Sequence, residues 1–563
     1  MQREEFTMEI KLSSNTPLVP HKKHWQFCVG SGHALLALRT DYTRQLKFIH
    51  DTLGIERVRF HGIFDDDMRT FNDLSMQMPI PGAEAFTEYN FNACGVAYDN
   101  VLDAGMKPFV ELSFMPEKLA LKEEGRALNG MFFYKPIIVP PADLEAWKDY
   151  IQAFLKFLIH RYGIEEIRTW YFEVWNEPDL PVAFWNGSQA EYFALYETTA
   201  RAIKEMDSQI KVGGPSTSGS KWVKAFVDYC RKNEIPVDFV STHQYAGDPL
   251  GGVEDQGLAG EEKSVIPEAE MAAEAKKHAA GEAPKQDMAA GFQAQMMALA
   301  KKLGDIEDKT FLNGFRVFMP DKSELQDVPN NVFITNAPKV KNQADGLPVF
   351  YTEWNENATF SAFTNDTRKV AAYDVKTALD VADSVDGSSI WCFSDIFEEL
   401  HPFPQEFHGG FGMLTQNGIP KPVYHAMKML ADAGDQRFDL GDEATKGEIG
   451  YAAFRGEGKT QIVLFRQKMK NLDLPKEDVS ITFEMPNRPS SVVCRRVDED
   501  HGNPLKLWQE MGSPLSLNRK EIEYLKSESA VLTENWPYTY QDGKVLLSAS
   551  LGVNDVYMIT LFD

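Results

Sequence analysis

Over roughly its first 400 residues the chain alternates short apolar runs with longer segments whose apolar positions recur at helical spacing. The runs are HWQFCVG (24–30), RVRFHG (57–62), KPFVELSF (107–114), TWYFEVWNE (169–177), IKVGGPS (210–216), VDFVSTHQY (237–245), LPVFYTEWN (347–355) and SSIWCFSD (388–395). The clearest intervening helix is DLEAWKDYIQAFLKFLIHRYG (143–163). Asp143 is placed to cap it and Gly163 to end it, with a buried stripe of Leu144, Trp147, Ile151, Phe154, Leu155 and Leu158. Eight β–α alternations in about 400 residues predict an α/β fold, a (β/α)8 TIM barrel near the upper end of its usual size.

Past about residue 430 the period shortens. EIGYAAFRG, KTQIVLFRQ, VSITFEM, SSVVCRRV and DVYMITLF read as strands separated by Gly, Pro and Asp turns, and FTMEIKLS (6–13) alternates in the same way. The expected organisation is a catalytic barrel over 14–430 and a discontinuous accessory β-sandwich built from 1–13 and 431–563. A long connection at 246–346 interrupts the barrel; it is rich in Ala, Glu, Lys and Met, which favour helix, with Gly281 and Pro284 as breaks. Its place after the sixth run puts it on the face where such barrels carry their sites, as a lid, an oligomer contact or a surface insertion.

Charge narrows the partners. The formal net charge is −25, from 58 Lys and Arg against 83 Asp and Glu, and no basic stripe interrupts it. That argues against nucleic acid and anionic membrane and suits an enzyme with a small neutral substrate. The first residues, MQREEFTMEI, carry acids where a signal peptide needs an apolar core, and no stretch reaches a membrane span. Cysteines 28, 94, 230, 392 and 494 are odd in number and widely spaced, so the expectation is buried thiols in a cytoplasmic protein. The glycosylation-like triplets at Asn186, Asn357 and Asn365 then read as chance.

Catalytic groups of such a barrel stand at the C-terminal ends of its strands. Glu177 ends the fourth run and Glu353 the seventh, so two carboxylates face one mouth. That is the requirement of glycoside hydrolysis, in which one carboxyl group protonates the leaving oxygen while the other attacks or activates water. WNEP at 175–178 and TEWN at 352–355 resemble the retaining glycoside hydrolases with catalytic glutamates on strands 4 and 7. More narrowly, HWQFCVGSGHA, VRFHGIFDDDM, KPFVELSFMP, YFEVWNEPDL, VDFVSTHQY, VFYTEWN, WCFSDIFEE, GGFGML and DEDHGNPLKLW resemble glycoside hydrolase family 39, the β-xylosidase and α-L-iduronidase family. The resemblance implies a barrel with a β-sandwich, net retention, Glu177 as acid/base and Glu353 as nucleophile. The chain departs from compact bacterial members in the 246–346 connection.

Around the two acids, Asn176 is suited to donate to the sugar 2-hydroxyl, or else caps the turn. His243 and Tyr245 end the sixth run, where they orient or hydrogen-bond Glu353, the rival for the histidine being a structural role. The resemblance sets His61 against hydroxyls of the non-reducing sugar, with core packing as the alternative. Trp391 suits a stacking floor or simply fills the barrel. Of Glu398 and Glu399, the resemblance has one accept from sugar hydroxyls, and Glu398 is the expected one. The acidic triplet 65–67 receives no role. No metal-ligand spacing and no phosphate loop occurs, so neither metal nor cofactor is implied. The sequence therefore points to a retaining exo-glycosidase, foremost a β-D-xylosidase acting on short xylo-oligosaccharides. The alternatives are a relative cleaving an α-L-arabinosidic or α-L-iduronide linkage, and a carbohydrate-binding barrel without activity. A homo-oligomer is compatible with all three.

Overall fold

The computed structural model describes residues 8–72, 88–181, 183–247, 329–360, 362–399, 403–441, 443–470 and 473–563. Eight parallel strands close into a barrel: β1 (Cys28–His33), β2 (Arg57–His61), β3 (Lys107–Leu112), β4 (Tyr171–Val174), β5 (Lys211–Thr217), β6 (Phe239–Gly247), β7 (Val349–Asn357) and β8 (Gly387–Ile390). β8 pairs with both β7 and β1, which closes the ring. Each predicted apolar run supplies one strand, with altered ends. The first run starts four residues early, because His24–Gln26 form a turn of 3-10 helix and His24 hydrogen-bonds Ser388 and the Ala378 carbonyl. The 144–162 helix is capped as expected: Asp143 accepts from the Glu145 amide at 2.9 Å and Gly163 follows with φ +83°. Trp147, Ile151, Phe154, Leu155 and Leu158 are buried with Tyr150, whereas Leu144 is half-buried at the helix start.

Inside the barrel, strand alternation sorts side chains into layers. Phe27, Phe109, Tyr171, Phe239 and Phe350 make an aromatic plug at the N-terminal end, with Phe27 and Phe350 stacked at 4.5 Å. Two residues further along, β2, β3 and β4 place Arg59, Glu111 and Glu173 above the plug. The plug fills the N-terminal end of the barrel beneath the charged layer.

The C-terminal part and the N-terminal arm form two sheets. Met8–Ser13 runs parallel to Glu477–Glu484 in a four-stranded sheet, and a seven-stranded sheet faces it across a shared apolar layer that includes Ile10, Leu12, Ile462, Ile481 and Ile559. The arm's contribution extends beyond residue 13, because Leu18–Pro20 pairs antiparallel with Gln436–Phe438. Strand Lys544–Leu551 and helices Pro504–Glu510 and Arg519–Glu528 also belong here, although the sequence pattern did not single them out. The barrel's core continues into this part through Phe454, Val463, Phe465, Val556 and Met558, so the two share one apolar interior.

Most of the 246–346 connection, residues 248–328, lies outside the described residues, and with it the choice between lid, oligomer contact and surface insertion. Its described end forms helix Val332–Gln343, whose Asn336 hydrogen-bonds Gln244 on β6. All five cysteines are buried and free. Asn357 and Asn365 are buried and hydrogen-bonded to each other. Among the described residues no helix is long and apolar enough to cross a membrane.

Candidate active site

The acid of WNEP does not lie on its strand. β4 stops at Val174, and the backbone then takes positive φ at Trp175 (72°) and Glu177 (41°), a conformation that side chains with a Cβ adopt only at a cost. The surroundings hold it there. The Glu177 amide donates to the Ser216 carbonyl at 2.8 Å and the Trp175 indole to the Phe184 carbonyl at 2.8 Å. Asp179 accepts from the Ser218 amide and hydroxyl at 2.8 and 2.5 Å, tying the turn to the end of β5. Glu177 is thereby turned back over the barrel mouth, 7% exposed.

At the centre stands Arg59, fully buried on β2. It donates to Glu173 at 2.5 Å, to Glu353 at 2.8 Å, to the Asn176 carbonyl oxygen at 2.8 Å and to Ser216 at 3.2 Å, and lies 2.8 Å from Glu111. One planar guanidinium on β2 thus positions groups from β3, β4, β5 and β7 and from the turn after β4. Burial alone would weaken its charge, but Glu111, Glu173 and Glu353 more than offset that and raise its pKa. Thr352 adds a hydrogen bond to Glu173 at 2.8 Å. Removing the arginine would leave Glu173 without its counter-charge and Glu111 and Glu353 with His61 alone, an arrangement strongly unfavourable to folding.

Glu353 accepts at one oxygen from Arg59 and at the other from the Tyr245 hydroxyl, 2.7 Å away. Burial pushes its pKa up to about 7, against the pull of Arg59, His61 and the Tyr245 hydrogen bond toward the ionised form. His61 bonds Glu111 through Nδ1 at 2.7 Å, and its Nε2 faces Glu353 and Glu399 at 3.6 and 3.5 Å. Burial disfavours charge on His61, but Glu111 foremost, with Glu399 and Glu353, raises it to about 10, so this imidazole is a cation. His243 is the opposite case. Burial, then Arg59 and His61, hold it well below its ordinary value, so it is neutral.

His243 Nδ1 lies 2.9 Å from Glu177 but 3.7 Å from Glu353, so its hydrogen bond is to the former; the sequence had paired it with Glu353. Its other nitrogen meets the Ser216 hydroxyl at 3.3 Å. Asn176 spends its carbonyl oxygen on Arg59. Its amide Nδ2 is a buried donor with no hydrogen-bond partner among the described residues.

Trp391 follows β8 and lies 4.9 Å from His61, ring to ring. It packs so tightly over β1 that a Cβ on Gly30 would stand 2.3 Å from its ring, which accounts for the glycine in CVGSG. Glu398 and Glu399 face different surroundings. Glu398 is half-buried and feels Arg39, whereas Glu399 is buried and faces His61 at the site. The loop backbone after β8 sets which of the two neighbours turns inward. The loop itself is anchored by buried Lys421, 2.6 Å from both Asp366 and Asp395.

Arg59, Glu111, Glu173 and Ser216 were missed in the sequence. For the three charged ones the signal was a charge within an apolar run, Arg59 two residues before His61 and Glu173 two before Trp175; Ser216 carried none. Glu177, His243 and Glu353 each offer an atom within 4.8 Å of the others, a spacing a cation could use. His243 Nδ1 is hydrogen-bonded to Glu177, and Glu353 accepts from Tyr245 and Arg59.

The sequence profile of Glycosyl hydrolases family 39 matches residues 8–277 and 325–545. A β-xylosidase of Caldicellulosiruptor saccharolyticus is 35% identical over 537 residues, spanning 95% of this chain and 94% of that protein. One from Geobacillus stearothermophilus is 32% identical over 547 residues, spanning 96% and 93%. Among solved structures, a monomeric β-xylosidase from Caulobacter crescentus CB15 is similar with a TM-score of 0.74 and 27% identity over 99% of each chain. Matches running through both barrel and β sheets, onto a mouth lined by paired glutamates, lead to one assignment: this chain belongs to glycosyl hydrolase family 39.

Proposed function

We propose that the chain is a retaining, exo-acting β-D-xylosidase that releases xylose from short xylo-oligosaccharides by double displacement, with Glu353 as nucleophile and Glu177 as acid/base. The observation that carries this reading is the approach of the two carboxylates, one oxygen of each lying within 4.8 Å of the other. Retaining enzymes hold the pair about 5–5.5 Å apart, and inverting ones leave roughly 6.5–9.5 Å for a water. The relatives named as β-xylosidases support the choice of sugar.

In the first step Glu353 attacks the anomeric carbon while Glu177 gives its proton to the departing oxygen. In the second, Glu177 takes a proton from water, which displaces Glu353 and restores the original configuration. His243 suits this alternation. A neutral imidazole can accept from protonated Glu177 or, in the other tautomer, donate to its carboxylate, with the Ser216 hydroxyl rotating to match. Arg59 and Tyr245 hold Glu353 and favour its ionised form. The unpartnered Asn176 amide is placed to donate to the 2-hydroxyl.

A substrate carboxylate would be poorly received. Arg59 already spends its donors, and a uronic acid reaching past His61 would meet Glu399, which favours a xyloside over an iduronide. The five free, buried thiols support a reducing compartment and hence imported oligosaccharides rather than polymer.

A panel of nitrophenyl glycosides tests the reading. The β-D-xyloside should give the highest kcat/KM, with the α-L-arabinopyranoside detectable and the glucoside weak, because excluding a hydroxymethyl group by crowding is worth only about 1–3 kcal/mol. Preference for glucoside or iduronide, or activity on none, overturns it. Glu399→Ala should lower kcat/KM on the xyloside by about 2 kcal/mol, since it leaves sugar hydroxyls without their acceptor and removes one of the two carboxylates facing His61 Nε2, while Glu398→Ala should change it little. Equal effects would remove Glu399 from the pocket.

The pH profile supplies a signed prediction. Activity needs ionised Glu353, so kcat/KM falls as pH drops through its raised pKa near 7. Tyr245→Phe removes a hydrogen bond to the ionised form, so that pKa rises further. The acidic limb should move to higher pH by up to about one unit. A limb that stays put, or moves down, would dissociate Tyr245 from the group controlling it.

A further inference from the structure

Beside Glu399 the pocket has a wall that the double displacement does not call on. The loop after β3 carries Tyr134, whose hydroxyl is buried and has no hydrogen-bond partner. Its ring stacks on His33 at 4.4 Å and 15°, with Phe132 parallel to it at 6.1 Å. His33 lies 3.0 Å from Asp65 and 3.3 Å from Asp67. Burial works against charge on His33, but these two carboxylates raise it to about 9, so Tyr134 rests on an anchored cation. The loop is pinned as well. The Phe133 amide donates to the Glu399 carbonyl at 2.9 Å, Gly130 to Pro136 at 2.8 Å, and the Asn129 side chain to the Lys135 carbonyl at 2.8 Å.

The hydroxyl is therefore fixed in place but unpaired, an expensive state for a buried donor. Burial, with the negative charges of Glu399 first and then Asp65, Glu111 and Glu353, keeps the phenol protonated. It remains a donor throughout the working pH range. Contacts run in order from Glu177 to Glu353 via His243, from Glu353 to Glu399 via His61, and from Glu399 to Tyr134 along the loop. With the reacting carbon between the first pair, this order sets Tyr134 on the Glu399 side, and its hydroxyl feels the charge of Glu399 more than that of Glu353.

We propose that Tyr134 is a specificity-determining residue whose hydroxyl donates a hydrogen bond to the C3 or C4 hydroxyl of the terminal sugar, the same hydroxyl that donates to Glu399. A hydroxyl that both accepts and donates satisfies the two protein groups at once, and a site built to pair a hydroxyl discriminates sharply against its absence. The proposal rests on the glycosidase reading but does not need xylose to be the sugar.

The test is Tyr134→Phe, which keeps the ring on His33 and removes only the hydroxyl. Variant and wild type are compared on the best nitrophenyl glycoside of the panel and on its 3-deoxy and 4-deoxy analogues, with melting temperature as a check on folding. The variant should lose about 10- to 100-fold in kcat/KM on the parent substrate. On one of the two deoxy analogues the variant and wild type should agree within about twofold, because the lost partner is the same. A parent rate within about twofold of wild type overturns the proposal, as does an equal loss on the parent and both analogues. Because the substrate is whichever one the wild type prefers, a sugar other than xylose would overturn the xylosidase reading and leave this comparison decisive for Tyr134.

Discussion

Glu353→Ala will be almost inactive on every glycoside, losing on the order of 10⁴-fold or more whether the leaving group is good or poor. The reason is that no other group can form the covalent intermediate. Glu353 is the carboxylate held by both Arg59 and Tyr245, and the nearest alternative, Glu177, stands on the opposite side of the gap that the sugar must occupy. The hole left by the side chain admits a small anion. Azide should restore turnover of a dinitrophenyl xyloside, and because it enters where the carboxylate stood, the product is the α-glycosyl azide, inverted. Rescue to a β-azide would mean that Glu353 is not the nucleophile.

Glu177→Ala will discriminate by leaving group. A substrate whose departing oxygen must be protonated should slow by about 10²–10⁴-fold, the range for general acid catalysis, whereas an activated aryl glycoside should still form the glycosyl-enzyme at a rate near wild type. Its second step then lacks a base to activate water. Azide needs none, so it should accelerate turnover of the aryl substrate and give the β-azide with retained configuration. Equal losses on both substrate types would reverse the two roles or remove them. The arrangement around Glu177, a positive-φ backbone with His243 at 2.9 Å, is one that a mere structural carboxylate would not require.

What the chain disclosed in advance follows from which physical signals are local. Each barrel strand is a run of apolar residues that ends where polar groups emerge, so the run ends, together with the family resemblance, single out Glu177, Glu353, Asn176, His243 and Tyr245 as candidates. The layer beneath them could not be singled out in this way. Arg59, Glu111 and Glu173 interrupt apolar runs far apart in sequence, and only closure of the barrel shows that they neutralise one another. The choice between Glu398 and Glu399 depends on a loop backbone pinned by Lys421 and by the Phe133–Glu399 hydrogen bond, neither of which has a sequence period. The same holds for Leu18–Pro20, three residues that become a strand only because Gln436–Phe438 offers them an edge. Tyr134 carried no signal at all, since a tyrosine in MFFYKP reads as one more aromatic until its hydroxyl is found buried without a partner.

The central claim is that Glu353 forms a covalent bond to the sugar, and trapping that bond is its most direct test. A dinitrophenyl β-D-xyloside carrying fluorine at C2 keeps a fast first step while slowing the second, so the glycosyl-enzyme accumulates. Mass spectrometry of the intact protein should show one added fluoroxylosyl group, and peptide mapping should place it on Glu353. A label on Glu177, or no label from a reagent that the enzyme still hydrolyses with inversion, would contradict the account.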